Sequence, residues 1–120
     1  MSDVDIDRGV NDFCLAAIEK GDFAPPTRDH LLHKTMNLAI TSLRKEGPAG
    51  IAALHSLMSH ESAHVRSWSS AELLASGDSS ALPIVKALSL LPGAVGFNAS
   101  IVLREHESGR LRSPFCNPEA

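Results

Sequence analysis

Glycine and proline residues divide this chain into segments of helical length, and within each segment the apolar residues recur with the period of an α-helix. The first segment shows the pattern clearly, because its apolar side chains follow an i, i+3, i+4, i+7, i+8 spacing from Val10 to Ile18, before Gly21. No segment shows a sustained alternation of apolar and polar residues, which is the pattern of a half-buried strand. The sequence therefore predicts an all-α protein.

Helix boundaries follow from the residues that start and stop helices. Thr27 is expected to cap a second helix that runs to about Glu46, where Gly47 ends it. The further predicted helices are a third with apolar residues from Ile51 to Met58, a fourth from Val65 to Ser76, a fifth capped by Asp78-Ser79-Ser80 with Pro83 in its first turn, and a sixth from Ala94 to Ser108. We expect residues 1–109 to form one helical domain. Residues 110–120 contain Pro and lack periodicity, so we expect an extended or disordered tail there.

Net charge and apolar patterning exclude several classes of protein. The chain has 120 residues and a formal net charge of −3, whereas nucleic-acid-binding proteins carry an excess of Lys and Arg. No apolar run approaches the roughly 20 residues that cross a membrane, and the acidic N-terminus lacks the apolar core of a signal peptide. We therefore expect a cytoplasmic protein that binds neither nucleic acid nor membrane and needs no cofactor.

A weak internal repeat with an offset of 30 residues relates the third and fourth predicted helices to the fifth and sixth. The residues that superpose at this offset are Ile51, Leu54, Met58, Val65, Ser69 and Leu73 on Ala81, Ile84, Leu88, Val95, Ala99 and Leu103. A repeat of about 30 residues built from two helices is the unit of an α-solenoid, in which each helix pair buries a face against the next. The fourth helix is rich in Ala and Ser and fits an inner position in such a stack.

The segment LHSLMSHESAHVRSWSSAELL resembles a HEAT repeat, because an apolar helix, a short polar turn, Val-Arg and small residues precede Leu-Leu. Over residues 30–112 the chain is similar to a family of small bacterial HEAT-like proteins of unknown function, through LRKEGPAGIAAL, HVRSWSSAELL and GFNASIVLREHESGRLR. The resemblance implies a short α-α superhelix of the HEAT or armadillo type, with about six helices in antiparallel pairs. It implies no catalytic activity and supplies no functional residues. It also implies that Arg66 fixes the turn before the fourth helix.

One short motif suggests catalysis, because His60-Glu61-Ser62-Ala63-His64 matches the His-Glu-x-x-His signature of zinc metalloproteases. On one continuous helix, which the periodicity from Pro48 to Ser76 permits, His60 and His64 would share a face and hold one zinc ion. Glu61 would then act as the general base. The candidates for the third ligand that such a site needs are Glu72, Asp78, Glu105, His106 and Glu107, none of which lies in a recognisable second motif.

Polar residues flank this motif, as is typical of a solvated turn, whereas zinc proteases carry the motif within an apolar helix. We therefore predict a turn in which Glu61 or Ser62 caps the fourth helix, without a bound metal. A zinc-dependent hydrolase that uses His60, Glu61 and His64 remains the alternative.

The second predicted helix carries a polar stripe opposite a wide apolar face. A solvated face is the simpler interpretation of such a stripe. The functional interpretation is a ridge for a partner, because solenoids bind through aligned helix faces and these side chains offer directional hydrogen bonds. The candidate partner-binding residues on this interpretation are His30, His33, Asn37 and Arg44.

Two aromatic residues stand apart from the aliphatic pattern. Trp68 lies on a helix rich in Ala and Ser and is expected in the core, whereas an exposed Trp at this position would mark a binding site. Phe115 lies in the predicted tail, where it docks either on the body of the protein or on a partner.

The sequence offers no nucleophile with a visible base, and this favours a non-catalytic protein-binding module over an enzyme. The most specific hypothesis is a bacterial immunity protein that binds and neutralises a toxin. An acidic chain suits a basic toxin domain as that partner. This hypothesis rests on similarity of class and not on a motif in the chain.

Overall fold

The computed structural model describes residues 3–115, of which 78% are helical. The α-helices in this part of the chain are α1 (Asp3–Lys20), α2 (Pro26–Lys45), α3 (Pro48–Ser56), α4 (Ala63–Ala75), α5 (Leu82–Leu88) and α6 (Gly93–Glu107). Two short 3₁₀ helices, Leu57–Ser59 and Ser79–Ala81, precede α4 and α5. No strand occurs among residues 3–115, so the prediction of an all-α protein is confirmed.

The predicted stop at the end of α4 is confirmed in its backbone geometry. Gly77 has φ +98°, a left-handed conformation that suits glycine because it has no Cβ. The N–H of Asp78 then donates to the carbonyl of Leu73 at 2.9 Å, which satisfies an acceptor that the helix end leaves free. Asp78 in turn accepts from the N–H of Ser80 at 3.0 Å and caps the 3₁₀ helix that leads into α5.

The predicted cap of α2 is wrong. Pro25 is the N-cap residue, no side chain caps the helix, and Pro26 occupies the first helical position. Proline suits that position, because its φ angle is already helical and the N–H it lacks would have no partner there. Thr27 is therefore inside the helix, where its side chain is exposed.

Helix α4 occupies the centre of the fold, as predicted for an inner helix, and packs against α1, α3, α5 and α6. Small residues make this possible, because Ser69 and Ser70 are fully buried. Their hydroxyls donate to backbone carbonyls of the same helix, with Ser69 bonded to Val65 at 2.9 Å and Ser70 to Ser67 at 3.2 Å. Neighbouring helices therefore approach α4 closely without leaving a buried hydroxyl unsatisfied.

Side chains also join α4 to α2. The guanidinium of Arg44 pairs with the carboxylate of Glu72, and the rings of His33 and Trp68 lie 5.7 Å apart between centroids. Because α4 also packs against α6, the second helices of the three predicted pairs are linked through α4.

Two helices begin in direct contact with the backbone that precedes them. A Cβ on Gly50 in α3 would lie 1.8 Å from the carbonyl oxygen of Leu43, and a Cβ on Gly96 in α6 would lie 1.7 Å from that of Leu91. No side chain fits at either distance, so glycine sets how tightly α3 follows α2 and α6 follows α5.

Helix α2 has 20 residues and carries charged side chains in its first turn, its middle and its last turn. Within residues 3–115, no helix combines the length and the apolar character needed to cross a membrane.

Candidate binding groove

The HESAH motif forms the turn between α3 and α4. The 3₁₀ helix Leu57–Ser59 ends before His60, and α4 begins at Ala63. The hydroxyl of Ser62 accepts from the N–H of Val65 at 3.4 Å, which makes Ser62 the N-cap of α4. The prediction of a capped turn is therefore confirmed, and α3 and α4 are separate helices.

Arg66 fixes this turn, as the resemblance to HEAT repeats implies. Its Nη1 atom donates to the carbonyls of His60 at 2.8 Å and of Glu61 at 3.0 Å. The imidazole of His60 accepts from the N–H of Ser62 through Nδ1 at 2.9 Å. The hydrogen bonds that the residues of the motif form therefore stabilise the turn.

The two histidines of the motif do not share a helical face, because His60 precedes α4 and His64 lies within it. His64 instead points to the loop after α1, where its Nε2 atom is 3.6 Å from Oδ1 of Asp22. Among residues 3–115, no three His, Cys, Asp or Glu side chains are grouped closely enough to hold a metal ion. The geometry that the His-Glu-x-x-His signature requires is therefore not formed by this segment.

The polar stripe of α2 is only partly open to solvent. His30 is exposed and Asn37 is half-buried. His33 is half-buried in contact with Pro114 and Phe115, and Arg44 is occupied by Glu72 and by the hydroxyl of Ser76 at 2.6 Å. The sequence predicted a continuous exposed row, whereas the structure engages two of its four members within the chain. A role for the row in partner binding stays a prediction.

Pro114 and Phe115 contact His33, and together with Ser113 they are here called the C-terminal segment. Phe115 is only 6% exposed. Its ring centroid lies 5.1 Å from that of His33, 5.6 Å from Trp68 and 6.0 Å from Phe13. Phe115 therefore docks on the body of the protein, which was one of the two alternatives that the sequence left open. Residues 116–120 of the predicted tail lie outside the described range.

Two polar contacts accompany this docking. The hydroxyl of Ser113 donates to the carboxylate of Glu72, and Nε2 of His33 lies 3.0 Å from the carbonyl oxygen of Pro114. A carbonyl oxygen only accepts, so Nε2 of His33 carries the hydrogen in this contact. Trp68, predicted in the core, is half-buried in this aromatic cluster.

The surroundings of His33 disfavour its protonation. Burial lowers the pKa of the imidazole below its usual value, and the nearby ammonium of Lys20 lowers the pKa further. The Pro114 carbonyl and the Asp29 carboxylate oppose this shift, whereas His30 adds slightly to it. Lys20 is itself buried, pairs with Asp29 and holds its Nζ 5.4 Å from the centre of the Trp68 ring. A proton on His33 would therefore add a second positive charge to a crowded site.

A groove of about 250 Å³ lies between α4 and α6, with Pro114 in its wall. The apolar residues that line the groove include Trp68, Ala71, Ala94, Val95, Ile101 and Val102, and the polar ones are Asp22, His64, Ser67 and Asn98. A concave, mostly apolar surface with a few convergent polar groups is the usual form of a binding site. Sequence analysis missed this groove, because the repeat predicted that α4 and α6 correspond but not which of their side chains face each other.

Exposed apolar side chains are sequence neighbours of two residues that line the groove. Phe23 follows Asp22 in the loop after α1, and Phe97 precedes Asn98 on α6, whereas exposed Leu90 lies in the turn before α6. Phe97 is 68% exposed, and Phe23 and Leu90 are more exposed still. Single exposed apolar residues are normal on a protein surface, but several beside an apolar groove indicate an interaction site.

No family model, no curated protein and no solved structure matches this chain. The class that the coordinates define is a small all-α protein with a groove between α4 and α6, and the HEAT-like resemblance stays a prediction.

Proposed function

We propose that this chain is a non-catalytic protein-binding module, built as a short HEAT-like α-α superhelix, which holds its partner along the groove between α4 and α6. The observation that carries the proposal is the groove of about 250 Å³ with Trp68 in its wall and exposed Phe97 beside it. Such a surface offers an aromatic anchor site at its centre and apolar area around it, which is how protein interfaces concentrate their binding energy.

The order of helix contacts supports the superhelical form. Each helix packs against the next one along the chain from α1 to α6. Between α3 and α4, the 3₁₀ helix Leu57–Ser59 contacts both helices as well. The second helix of one pair, α4, packs against the second helix of the next pair, α6. In α-α superhelical proteins the aligned helices of successive pairs form the binding surface.

The chemistry of the groove favours a partner that presents an apolar side chain next to a basic one. The apolar side chain would rest on Trp68, Ile101 and Val102. The carboxylate of Asp22, at the edge of the groove, would accept from a Lys or Arg of the partner. The formal net charge of −3 adds a weak long-range attraction for a basic protein.

The most specific form of this function that we propose is an immunity protein that occupies and neutralises a basic toxin domain. A small acidic binding module suits inhibition through occupancy of a partner's surface. A hydrolase built on HESAH draws no support from the geometry, because His60 and His64 lie on either side of the start of α4.

The test compares two double variants in capture experiments with extracts of the organism that encodes the chain. Phe97→Ser with Asn98→Arg changes the groove and its rim, whereas Leu38→Ser with Thr35→Arg makes a matched change on the outer face of α2. Phe97 and Leu38 are similarly exposed, at 68% and 62%, so the two variants lose comparable apolar surface. Neither pair includes a buried residue, and both variants should therefore fold.

We expect the wild type and the α2 variant to capture the same stoichiometric basic protein. The groove variant should bind that protein at least tenfold more weakly, measured by calorimetry with the purified partner. Equal affinities of all three proteins would show that the groove is not the interface. Recovery of one zinc ion per chain with hydrolytic activity, in place of a protein, would favour the alternative function.

A further inference from the structure

The C-terminal segment is held by three different kinds of contact, one for each residue. The Ser113 hydroxyl donates to Glu72, the Pro114 carbonyl accepts from His33 at 3.0 Å, and the Phe115 ring packs among aromatic rings. The residues that provide these contacts, here called the seat, are Phe13, His33, Trp68 and Glu72. The seat therefore favours a segment that presents a hydroxyl, a carbonyl and an aromatic ring at three successive residues.

The seat belongs to the body of the protein. Phe13 is fully buried in α1, His33 lies on α2, and Trp68 and Glu72 lie on α4. The Glu72 side chain is 2% exposed, and its Oε2 atom accepts from Arg44 while its Oε1 atom accepts from Ser113. The core packing of three helices thus positions the groups that receive the segment, whichever chain supplies it.

The segment is joined to the body by a short connection without helical structure, in which Leu111 packs partly buried against the core. Helix α6 ends at Glu107, Gly109 follows with φ +75°, and Arg110 and Arg112 are exposed. Because residues 108–115 contain no helix, the segment leaves its seat without disturbing one.

We propose that the seat is a binding site for a Ser-Pro-Phe segment supplied in trans by a second copy of this chain. Each copy carries both the seat and the matching segment, so a reciprocal exchange reproduces every contact that one chain makes with itself. Within one chain, a short linker gives the segment an effective concentration in the millimolar range, and the closed monomer is therefore the dominant form in dilute solution. This inference does not depend on the groove or on its partner.

Two variants of the full chain separate the roles of seat and segment. Phe115→Ala keeps the seat intact but removes the ring that fills it. His33→Ala keeps the segment intact but removes one ring and the Pro114 bond from the seat. Mixing the two provides a free seat on one chain and a loosened segment on the other. Sedimentation velocity at about 100 µM of each chain then measures whether a complex forms.

A peptide provides a second probe of the same seat. The amidated hexapeptide Arg-Leu-Arg-Ser-Pro-Phe, which corresponds to residues 110–115, is titrated into Phe115→Ala while the fluorescence of the single Trp68 is followed. The control peptide carries Ala in place of the final Phe. Should Phe115→Ala fold poorly, Ser113→Asp replaces it, because a second carboxylate beside Glu72 expels the segment and leaves every aromatic side chain in place.

We expect the mixture to form a one-to-one complex while each variant alone stays monomeric. The Phe peptide should bind Phe115→Ala at least tenfold more tightly than the Ala peptide does, and wild type should bind neither at the same concentration. Peptide binding without a complex in the mixture would overturn the assignment to a second copy. Equal binding of the two peptides, or no binding by helical Phe115→Ala and Ser113→Asp, would overturn the site itself.

Discussion

Arg44 on α2 and Glu72 on α4 form an ion pair in which the Glu72 side chain is 2% exposed and the Arg44 side chain is 40% exposed. The same guanidinium donates to the hydroxyl of Ser76, and the other carboxylate oxygen accepts from Ser113. One buried charge therefore connects two helices and the C-terminal segment, and only one cation was found to neutralise it among the described residues.

Arg44→Ala is expected to destabilise the protein by about 2–3 kcal/mol. Removal of one partner from a buried pair leaves an uncompensated charge, although water already reaches the Arg44 side and reduces the loss below the value for a fully enclosed pair. Urea unfolding followed by circular dichroism measures the change. Glu72→Gln in the Arg44→Ala background is the control, since a neutral amide needs no cation. A double variant that is less stable than Arg44→Ala alone would contradict this explanation.

Sequence periodicity assigned His33 and Arg44 to one stripe of α2, and the structure agrees that both lie on this helix. Periodicity reports which residues share a face, but it does not report what covers that face. Here the cover includes Pro114, which is 81 residues away from His33 in sequence and lies in a stretch without helical period. The helical period of the sequence therefore could not predict the contact between His33 and Pro114. The sequence did indicate that Phe115 docks, but not where.

Local signals were the reliable part of the sequence. Gly77 and the turn at Ser62 each depend on residues within about one helical turn, and the structure confirms both, whereas Asp78 caps the 3₁₀ helix Ser79–Ala81 and not α5 itself. The cap predicted at Thr27 is wrong because two local signals, the Thr hydroxyl and the prolines before it, both favour a helix start. The helix begins at Pro26, so Thr27 already lies inside it. To predict the groove, one would need to know which sides of α4 and α6 face each other, and only tertiary packing determines this.

Acidification is expected to weaken the docking of the C-terminal segment. Burial depresses the pKa of His33 in the folded protein, so the folded state binds fewer protons at this group than the unfolded state does. Its stabilising contribution is present above the unfolded pKa of about 6.5 and is lost as the pH falls through the lower, folded pKa. The midpoint of urea unfolding should therefore decrease between pH 7.5 and pH 5 more in the wild type than in His33→Gln.

Glutamine is a suitable replacement because its amide donates to the Pro114 carbonyl but does not titrate. The fluorescence of Trp68, which contacts both His33 and Phe115, should change over the same pH range in wild type only. An equal loss of stability in both proteins would assign the pH dependence to other groups.

Gly96→Ala is expected to destabilise the protein by about 3 kcal/mol or more. The added Cβ would lie 1.7 Å from the carbonyl oxygen of Leu91, and backbone on both sides has to move to relieve that contact. Gly9→Ala on α1 is the matched control, because its Cβ would meet the Leu43 side chain at 3.1 Å and the Ala39 carbonyl oxygen at an ordinary 3.6 Å. Thermal unfolding should show a large decrease for Gly96→Ala and a small change for Gly9→Ala. Similar changes in both would indicate that α6 shifts freely against the turn before it.

Metal removal is expected to leave the protein unchanged. The HESAH residues are engaged in a turn, so a chelator should not alter the thermal midpoint, and added zinc should not raise it by the amount that a specific site would give. His60→Ala with His64→Ala should cost about 1 kcal/mol, mainly through loss of the bond between Nδ1 of His60 and the Ser62 N–H. A chelator-induced decrease in the thermal midpoint, absent from this double variant, would restore the zinc hypothesis.

Arg66→Ala is expected to destabilise the protein by about 1–2 kcal/mol through the turn that precedes α4. The guanidinium donates to the carbonyls of His60 and Glu61, and hydrogen bonds from a charged donor contribute more than neutral ones. Arg66→Lys should recover about half of the loss, because an ammonium does not reproduce the fixed geometry with which the planar guanidinium donates to the two carbonyls. Arg104→Ala on the exposed face of α6 is the control and should change stability by no more than about 0.5 kcal/mol. Urea unfolding of the four proteins measures these differences, and an Arg66→Ala variant as stable as Arg104→Ala would show that the turn holds its form without the side chain.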